Sequence, residues 1–356
     1  MPKRPCAILV TPDNKTILCG DKFGDVYSLP LIPGEYVAAT EAPDKATPER
    51  TYNPSATDLT VHTRRNRKAL EEQIKRKGQA SNAKEPLKFE HQLLLGHVSM
   101  LTDMQIGTTE VEGKARHHII TSDRDEHIRV SRAPPQAHII ERFCMGHTEF
   151  ISFIRVVPNS NLLVSGGGDD WIGVWDWTTG ELIARHRLRK EEGGNIAVSG
   201  LWVVPCGLAG DEQVVYVTFA GSDKLYHISV EGLQSSMPIY QSVSMGAPVL
   251  DVASTSASSP MLVVSLDTKE VSPKHQHMIY QANLPFQDKP RLKSFFRRAT
   301  GDRGGTLESL AGPTGDVLRE ANAVEVPVPD RKALDVMLYS VEKLRKRGDE
   351  DGLEED

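Results

Sequence analysis

Two Gly-His pairs set 50 residues apart constrain this 356-residue chain more than any other feature. LLLGHVSMLTDM (93–104) and RFCMGHTEFISFI (142–154) each place the pair ahead of an apolar strand. A second strand, a tight acidic turn and a third strand follow in both. The first copy reads HHIITSDRDEHIRVS (117–131); the second reads NLLVSGGGDDWIGVWDW (161–177) and ends in a Trp-Asp pair. One such unit cannot bury both its faces alone, so copies must stack.

The spacing lies near the ~40–45-residue period of WD-type propeller blades, so the expected fold is an all-β WD40 β-propeller. In such a blade the His, a Ser or Thr on the second strand, an Asp in the turn and a Trp on the third strand form a buried hydrogen-bond chain. The second copy assigns His147, Ser165, Asp169 and Trp175 to it. The first offers His97, Thr121 and Asp125, with Ser131 where the Trp would stand. At this spacing the histidines read as structural, not catalytic.

Weaker copies flank these two. CAILVTPDNKTILCGDKFGDVYSLPL (6–31) reads as three strands separated by turns, and the rhythm returns over 197–230 and 246–283, where MLVVSLD and HMIYQAN are among the strands. At ~40–45 residues each, these parts hold about five blades. A propeller closes by pairing its ends, because exposed sheet edges invite aggregation. The sequence therefore reads as an N-terminally shortened version of a longer protein. The expected organisation is a partial first blade (1–34), a basic, disordered insertion (35–90), propeller blades (91–285) and an irregular closing segment (286–329). A C-terminal helix (330–347) follows, with Leu334, Met337, Leu338, Val341 and Leu344 on one stripe, and then an acidic, disordered tail (348–356).

Composition narrows the function. The formal net charge of −6 gives no overall reason to expect nucleic-acid or membrane binding, yet charge is local. Residues 61–88 hold nine Lys/Arg, among them Arg64, Arg65, Arg67, Lys68, Lys75, Arg76 and Lys77, which read as a nucleic-acid phosphate contact, a nuclear localisation signal or a solvated loop. Four scattered cysteines without a C-x-x-C pair argue against a zinc ribbon or disulfide framework. No stretch approaches the ~20 apolar residues that span a bilayer. No cofactor or metal motif stands out. SGGGDD (165–170) precedes a strand, whereas a phosphate loop opens a helix, and His275 and His277 lack a third ligand nearby.

TSDRDEHIRVSR (121–132), with LGHVSMLTDM (95–104) and FCMGHTEFISFI (143–154), carries more charge than a blade turn requires. In this combination the chain closely resembles the non-catalytic WD-repeat subunit of the eukaryotic tRNA guanine-N7 methyltransferase, in a fungal-looking version. The resemblance extends over residues 4–34, 91–285 and 330–347, and it implies a seven-bladed ring of which this sequence lacks roughly two N-terminal blades. It implies a non-enzymatic subunit of a nuclear heterodimer, without a cofactor of its own. Its partner would be a catalytic, S-adenosylmethionine-dependent subunit that methylates a guanosine in the tRNA variable loop, and the pair would grip tRNA. The resemblance places partner binding on Arg129, with Glu126, Arg124 and Asp125 in the same patch. The competing expectation is a generic WD-repeat adaptor in a ubiquitin-ligase or chromatin complex.

Overall fold

The structure is a computed structural model. It describes residues 4–32, 90–187, 197–206, 212–235, 240–254, 261–267, 291–297 and 307–309, with positions 332, 335–336 and 340–345. These form five four-stranded antiparallel sheets, as expected of a WD40 β-propeller. The first contains β1 (Pro5–Val10), β2 (Thr16–Asp21), β3 (Asp25–Pro30) and β4 (Gln92–Gly96). The second contains β5 (Leu101–Val111), β6 (Lys114–Asp123), β7 (Ile128–Arg132) and β8 (Ile140–Cys144). The third contains β9 (Ile151–Val156), β10 (Leu162–Gly167), β11 (Ile172–Asp176) and β12 (Glu181–His186).

The fourth sheet contains β13 (Val198–Cys206), β14 (Glu212–Phe219), β15 (Lys224–Ser229) and β16 (Gln241–Ser244). A single helical turn, α1 (Val230–Leu233), joins its last two strands, capped by the Ser229 hydroxyl. The fifth contains β17 (Val249–Ser254), β18 (Met261–Leu266), β19 (Arg291–Arg297) and β20 (Leu307–Ser309). The first strands of successive sheets pack side by side in chain order. Among the described residues no helix is long and apolar enough to cross a membrane.

Each strand alternates its side chains between two faces, and in the second, third and fourth sheets both faces are covered. Ile119 joins Leu18, Leu101 and Met104 between the first two sheets, while its neighbour Ile120 joins Ile154, Leu163 and Trp175 between the second and third. On β14, Val215 and Val217 face the third sheet, and Val214 and Tyr216 face the fifth. The core is thus a series of seams between sheets, which is why the second and third strands read as nearly continuous apolar runs.

Two boundaries differ from the sequence reading. The Gly-His element begins a copy in the sequence, but in space LLLGH closes the sheet before it: β4 pairs with β3 across residues 33–89, and β8 likewise completes the second sheet. The sequence repeat and the sheet are therefore offset by one strand. Residues 286–329, read as irregular because of their Gly and Pro content, contain β19 and β20, and RLKSFFR pairs with MLVVSL along its length. HMIYQAN, the insertion over 35–90 and the acidic tail lie outside the described residues. Of the expected C-terminal helix, Val341–Leu344 forms a 3-10 turn, and Leu334, Met337 and Leu338 lie outside them.

Candidate functional site

The third sheet carries a complete hydrogen-bond chain across its seam with the second. His147, just past β8, donates from Nδ1 to Asp169 Oδ2 at 2.6 Å and meets Ser165 Oγ through Nε2 at 2.7 Å. The Trp175 indole donates to the same Ser165 oxygen at 2.7 Å. One tautomer satisfies every link: Nδ1 carries the proton, and Nε2 accepts from the serine hydroxyl. The ring also stacks on Trp171, with centroids 4.2 Å apart. Burial alone would raise the Asp169 carboxyl, but hydrogen bonds from His147 and Thr148 outweigh it and hold the group below the usual carboxylate range. Gly173 makes the chain possible, since a Cβ there would stand 2.6 Å from the indole nitrogen.

The second sheet carries a shorter version. His97 meets Thr121 Oγ1 through Nε2 at 2.8 Å and a carboxylate through Nδ1 at 3.3 Å. That carboxylate is Asp123, not Asp125 as the four-residue spacing from Ser165 to Asp169 predicts. Asp123 is the last residue of β6 and folds over the turn: its Oδ1 accepts the amides of Asp125 and His127, leaving Oδ2 for His97. Asp21 caps the β2–β3 turn in the same way, through the amides of Phe23 and Asp25. Burial would lift the Asp123 carboxyl, but the His97 and His127 hydrogen bonds hold it below the usual range. Gly24, at φ +94°, brings the β2–β3 turn against His97, whose amide donates to its carbonyl.

The four residues of the expected partner patch fall into different settings. Arg129 stands opposite Thr121, where the third sheet has Gly173 opposite Ser165. It is 7% exposed, and its Nη1 donates to the Gly96 carbonyl at 3.0 Å. Its Nε is buried without a hydrogen-bond partner. Desolvation pulls its basicity down, opposed by the charge of Asp123. Arg124 is engaged within the chain: its guanidinium donates to the carbonyls of Leu344, at 2.7 Å, and Arg345. Asp125 and Glu126 are half-buried in the turn, with Glu126 at φ +73°. The four therefore lie in or beside one turn: Arg124 is taken up by the C-terminal segment, Asp125 and Glu126 are half-buried, and Arg129 is buried on β7.

That segment is the feature sequence reasoning missed. Arg345 donates to the Gly168 carbonyl, pairs with Glu149 at 3.1 Å and lies over the Phe150 ring. With Arg124 holding its backbone, residues 344–345 bridge the second and third sheets. The basic run KLRKR was the available signal, but charge alone does not name a partner. The candidate tRNA-contacting cations Arg64, Arg65, Arg67, Lys68, Lys75, Arg76 and Lys77, and His275 and His277, lie outside the described residues. Burial pushes the thiol of Cys144 up to about 12, so it is not poised as a thiolate. Among the described residues no cluster of His, Cys, Asp or Glu is arranged to hold a metal ion.

Comparison with known proteins places this geometry. Residues 1–287 match the WD40 domain of the tRNA methyltransferase TRM82. The chain is 40% identical over 366 residues to the tRNA (guanine-N(7)-)-methyltransferase non-catalytic subunit trm82 of Aspergillus oryzae, covering 99% of this chain and 71% of that protein. It is 41% identical over 371 residues to the subunit of the same name in Phaeosphaeria nodorum, covering 98% and 74% of the two chains. In Coccidioides immitis the identity is 38% over 383 residues, covering 99% and 71%. With the match running through all the sheets that carry the two histidine networks, this chain belongs to the TRM82 WD40 family of tRNA methyltransferase subunits.

Proposed function

We propose that this chain is the non-catalytic subunit of a heterodimeric tRNA guanine-N7 methyltransferase. It holds a catalytic, S-adenosylmethionine-binding partner in its active conformation and does no chemistry itself. The observation that carries this reading is the shared name of relatives aligned over nearly the whole chain, all non-catalytic subunits of that enzyme. The geometry supports it at one place. On β7, beside the β6–β7 turn, a buried guanidinium whose Nε has no hydrogen-bond partner stands where the third sheet has Gly173. An incoming carboxylate from the partner would complete it, and a charge pair of that kind fixes register and disfavours wrong partners. Glu126 and Asp125 would take cations beside it. Nuclear residence, and tRNA contacts from the cations of 61–88, belong to the same proposal.

The test is co-expression with the methyltransferase subunit, with Arg129 intact or changed to Gln. Arg129→Gln keeps the side-chain bulk and removes the charge. The expected result is retained fold by circular dichroism, at least a tenfold loss of co-purified partner and a matching loss of N7-methylguanosine in tRNA. Undiminished co-purification would move the interface elsewhere. A wild-type chain that recovers a mixed set of proteins and no methyltransferase would favour the adaptor reading.

A further inference from the structure

At the opposite end of the second sheet, four basic side chains surround one carboxylate. Glu141 lies on β8 at a bulge, where the register with β7 shifts between Val130 and Ser131 and the side chain is re-aimed across the strands. Its Oε1 accepts from Arg116 Nη2 at 2.6 Å and Arg132 Nε at 2.9 Å; its Oε2 meets His118 Nε2 at 3.0 Å, with Arg142 Nη2 at 3.6 Å. Arg132 also donates to Gln136 Oε1 at 2.7 Å. The Arg142 Nε is buried with no hydrogen-bond partner.

Charge does not balance here. Three guanidiniums are permanently cationic, and one carboxylate neutralises one of them. Burial lowers the basicity of His118, opposed by Glu141, so the imidazole adds no charge at neutral pH. Among the described residues, none of the three arginines pairs with a second carboxylate. The exposed part of the cluster is the cationic part. The side chains of Arg116, Arg132 and Arg142 are 42%, 34% and 35% exposed, against 12% for Glu141. Arg132 and His118 already give each oxygen of Glu141 one donor, and Arg116 and Arg142 add cations beyond that pairing. In a chain of net charge −6, two surplus cations that reach in from β6 and β8 and converge on one carboxylate form a preorganised anion site.

We propose that Arg116, Arg132 and Arg142 form a phosphate-backbone contact for tRNA, separate from the partner interface. The proposal rests on the reading of the chain as a tRNA methyltransferase subunit, which supplies RNA as the anion. Arg116 lies seven residues along β6 from Asp123, about 23 Å at strand rise, so the site and the β6–β7 turn can be occupied together. Guanidiniums match phosphate oxygens two at a time, and backbone contacts fix position without reading sequence.

The test measures binding of an unmodified tRNA transcript across a potassium chloride series, with the chain alone and with its co-expressed partner. Arg116→Gln/Arg142→Gln leaves Glu141 bonded to Arg132 and His118. It should weaken binding about five- to tenfold near physiological salt and lower the slope of log affinity against log salt by about 1 to 2. Glu141→Gln removes the competing anion and should tighten binding instead. Because these changes lie away from the β6–β7 turn, partner co-purification should not change. Loss of the wild-type partner overturns the proposed function, and the chain-alone titration still reads the site. Unchanged affinity and slope in the double variant, or weaker binding in a folded Glu141→Gln protein, overturns the phosphate contact. A double variant that loses an acidic protein while tRNA binding stands also overturns it.

Discussion

The second and third sheets solve one problem in two ways. Both place a His from the preceding outer strand against a Ser or Thr on the second strand and an Asp in the turn. In the third sheet Gly173 leaves room for the Trp175 indole, and the chain of bonds is complete and buried. In the second sheet Arg129 occupies the place of Gly173, and Ser131 stands at the position of Trp175 with its hydroxyl buried and unpartnered. The two third-strand substitutions are coupled: a long side chain at the first position fills the space the indole needs. A blade can thus give up part of its internal network to hold a guanidinium next to a turn, and the seam survives because Asp123 keeps its backbone bonds.

Several changes would break or sharpen that contrast. Trp175→Ala should cost about 3–5 kcal/mol in chemical denaturation, since it opens a cavity and removes the donor to Ser165. Ser131→Ala at the matching place should leave stability unchanged or raise it slightly, because no bond is lost. His147→Ala should cost about 3 kcal/mol, as a buried carboxylate loses its partner, and His97→Ala about 1 kcal/mol. Equal losses would show that the two networks bear equal weight. Restoring the third-sheet pattern with Arg129→Gly/Ser131→Trp should raise stability by about 1–2 kcal/mol while abolishing partner recovery. A stable double variant that still recovers the methyltransferase would separate Arg129 from binding.

The smallest effect is on pH. Asp123 and Asp169 both have folded pKa values below the unfolded one, so their stabilising contribution is present above about pH 4 and is lost as pH falls through the folded values. Acid unfolding curves should therefore steepen below pH 4, and Asp169→Asn should flatten that limb. An unaltered acid limb in Asp169→Asn would show that other carboxylates control it.

The strands and their turns were legible because both faces of the middle blades are buried, which leaves long apolar runs between Gly and Asp. The second network was legible residue by residue for the same reason: a buried His, Ser, Asp and Trp leave few other arrangements. The first network misled at one position. Asp123 and Asp125 lie two residues apart in DRD, and spacing alone cannot say which one folds back over the turn. The sheet boundaries were hidden because Gly-His marks the seam between blades, so a repeat that starts at LLLGH straddles two sheets. β19 was missed because Gly and Pro in its flanks outweighed the strand pattern of RLKSFFR. The bridge made by Arg124 and Arg345 joins positions more than two hundred residues apart, and no local pattern announces it.

The pairing of β3 with β4 also sets an order of events during synthesis. When Pro30 leaves the ribosome, the first sheet has three strands and an open edge, and its fourth strand is still to be made. At about 5–20 residues per second, Gln92 follows several seconds later. During that interval the edge of β3 is available to any passing strand. His97 emerges directly after β4, so the strand that shields this edge arrives together with the residue that fastens the first sheet to the second. Closure of the first blade and its attachment to the next are therefore one step, and a nascent chain stalled before that point would be the form most in need of chaperone protection.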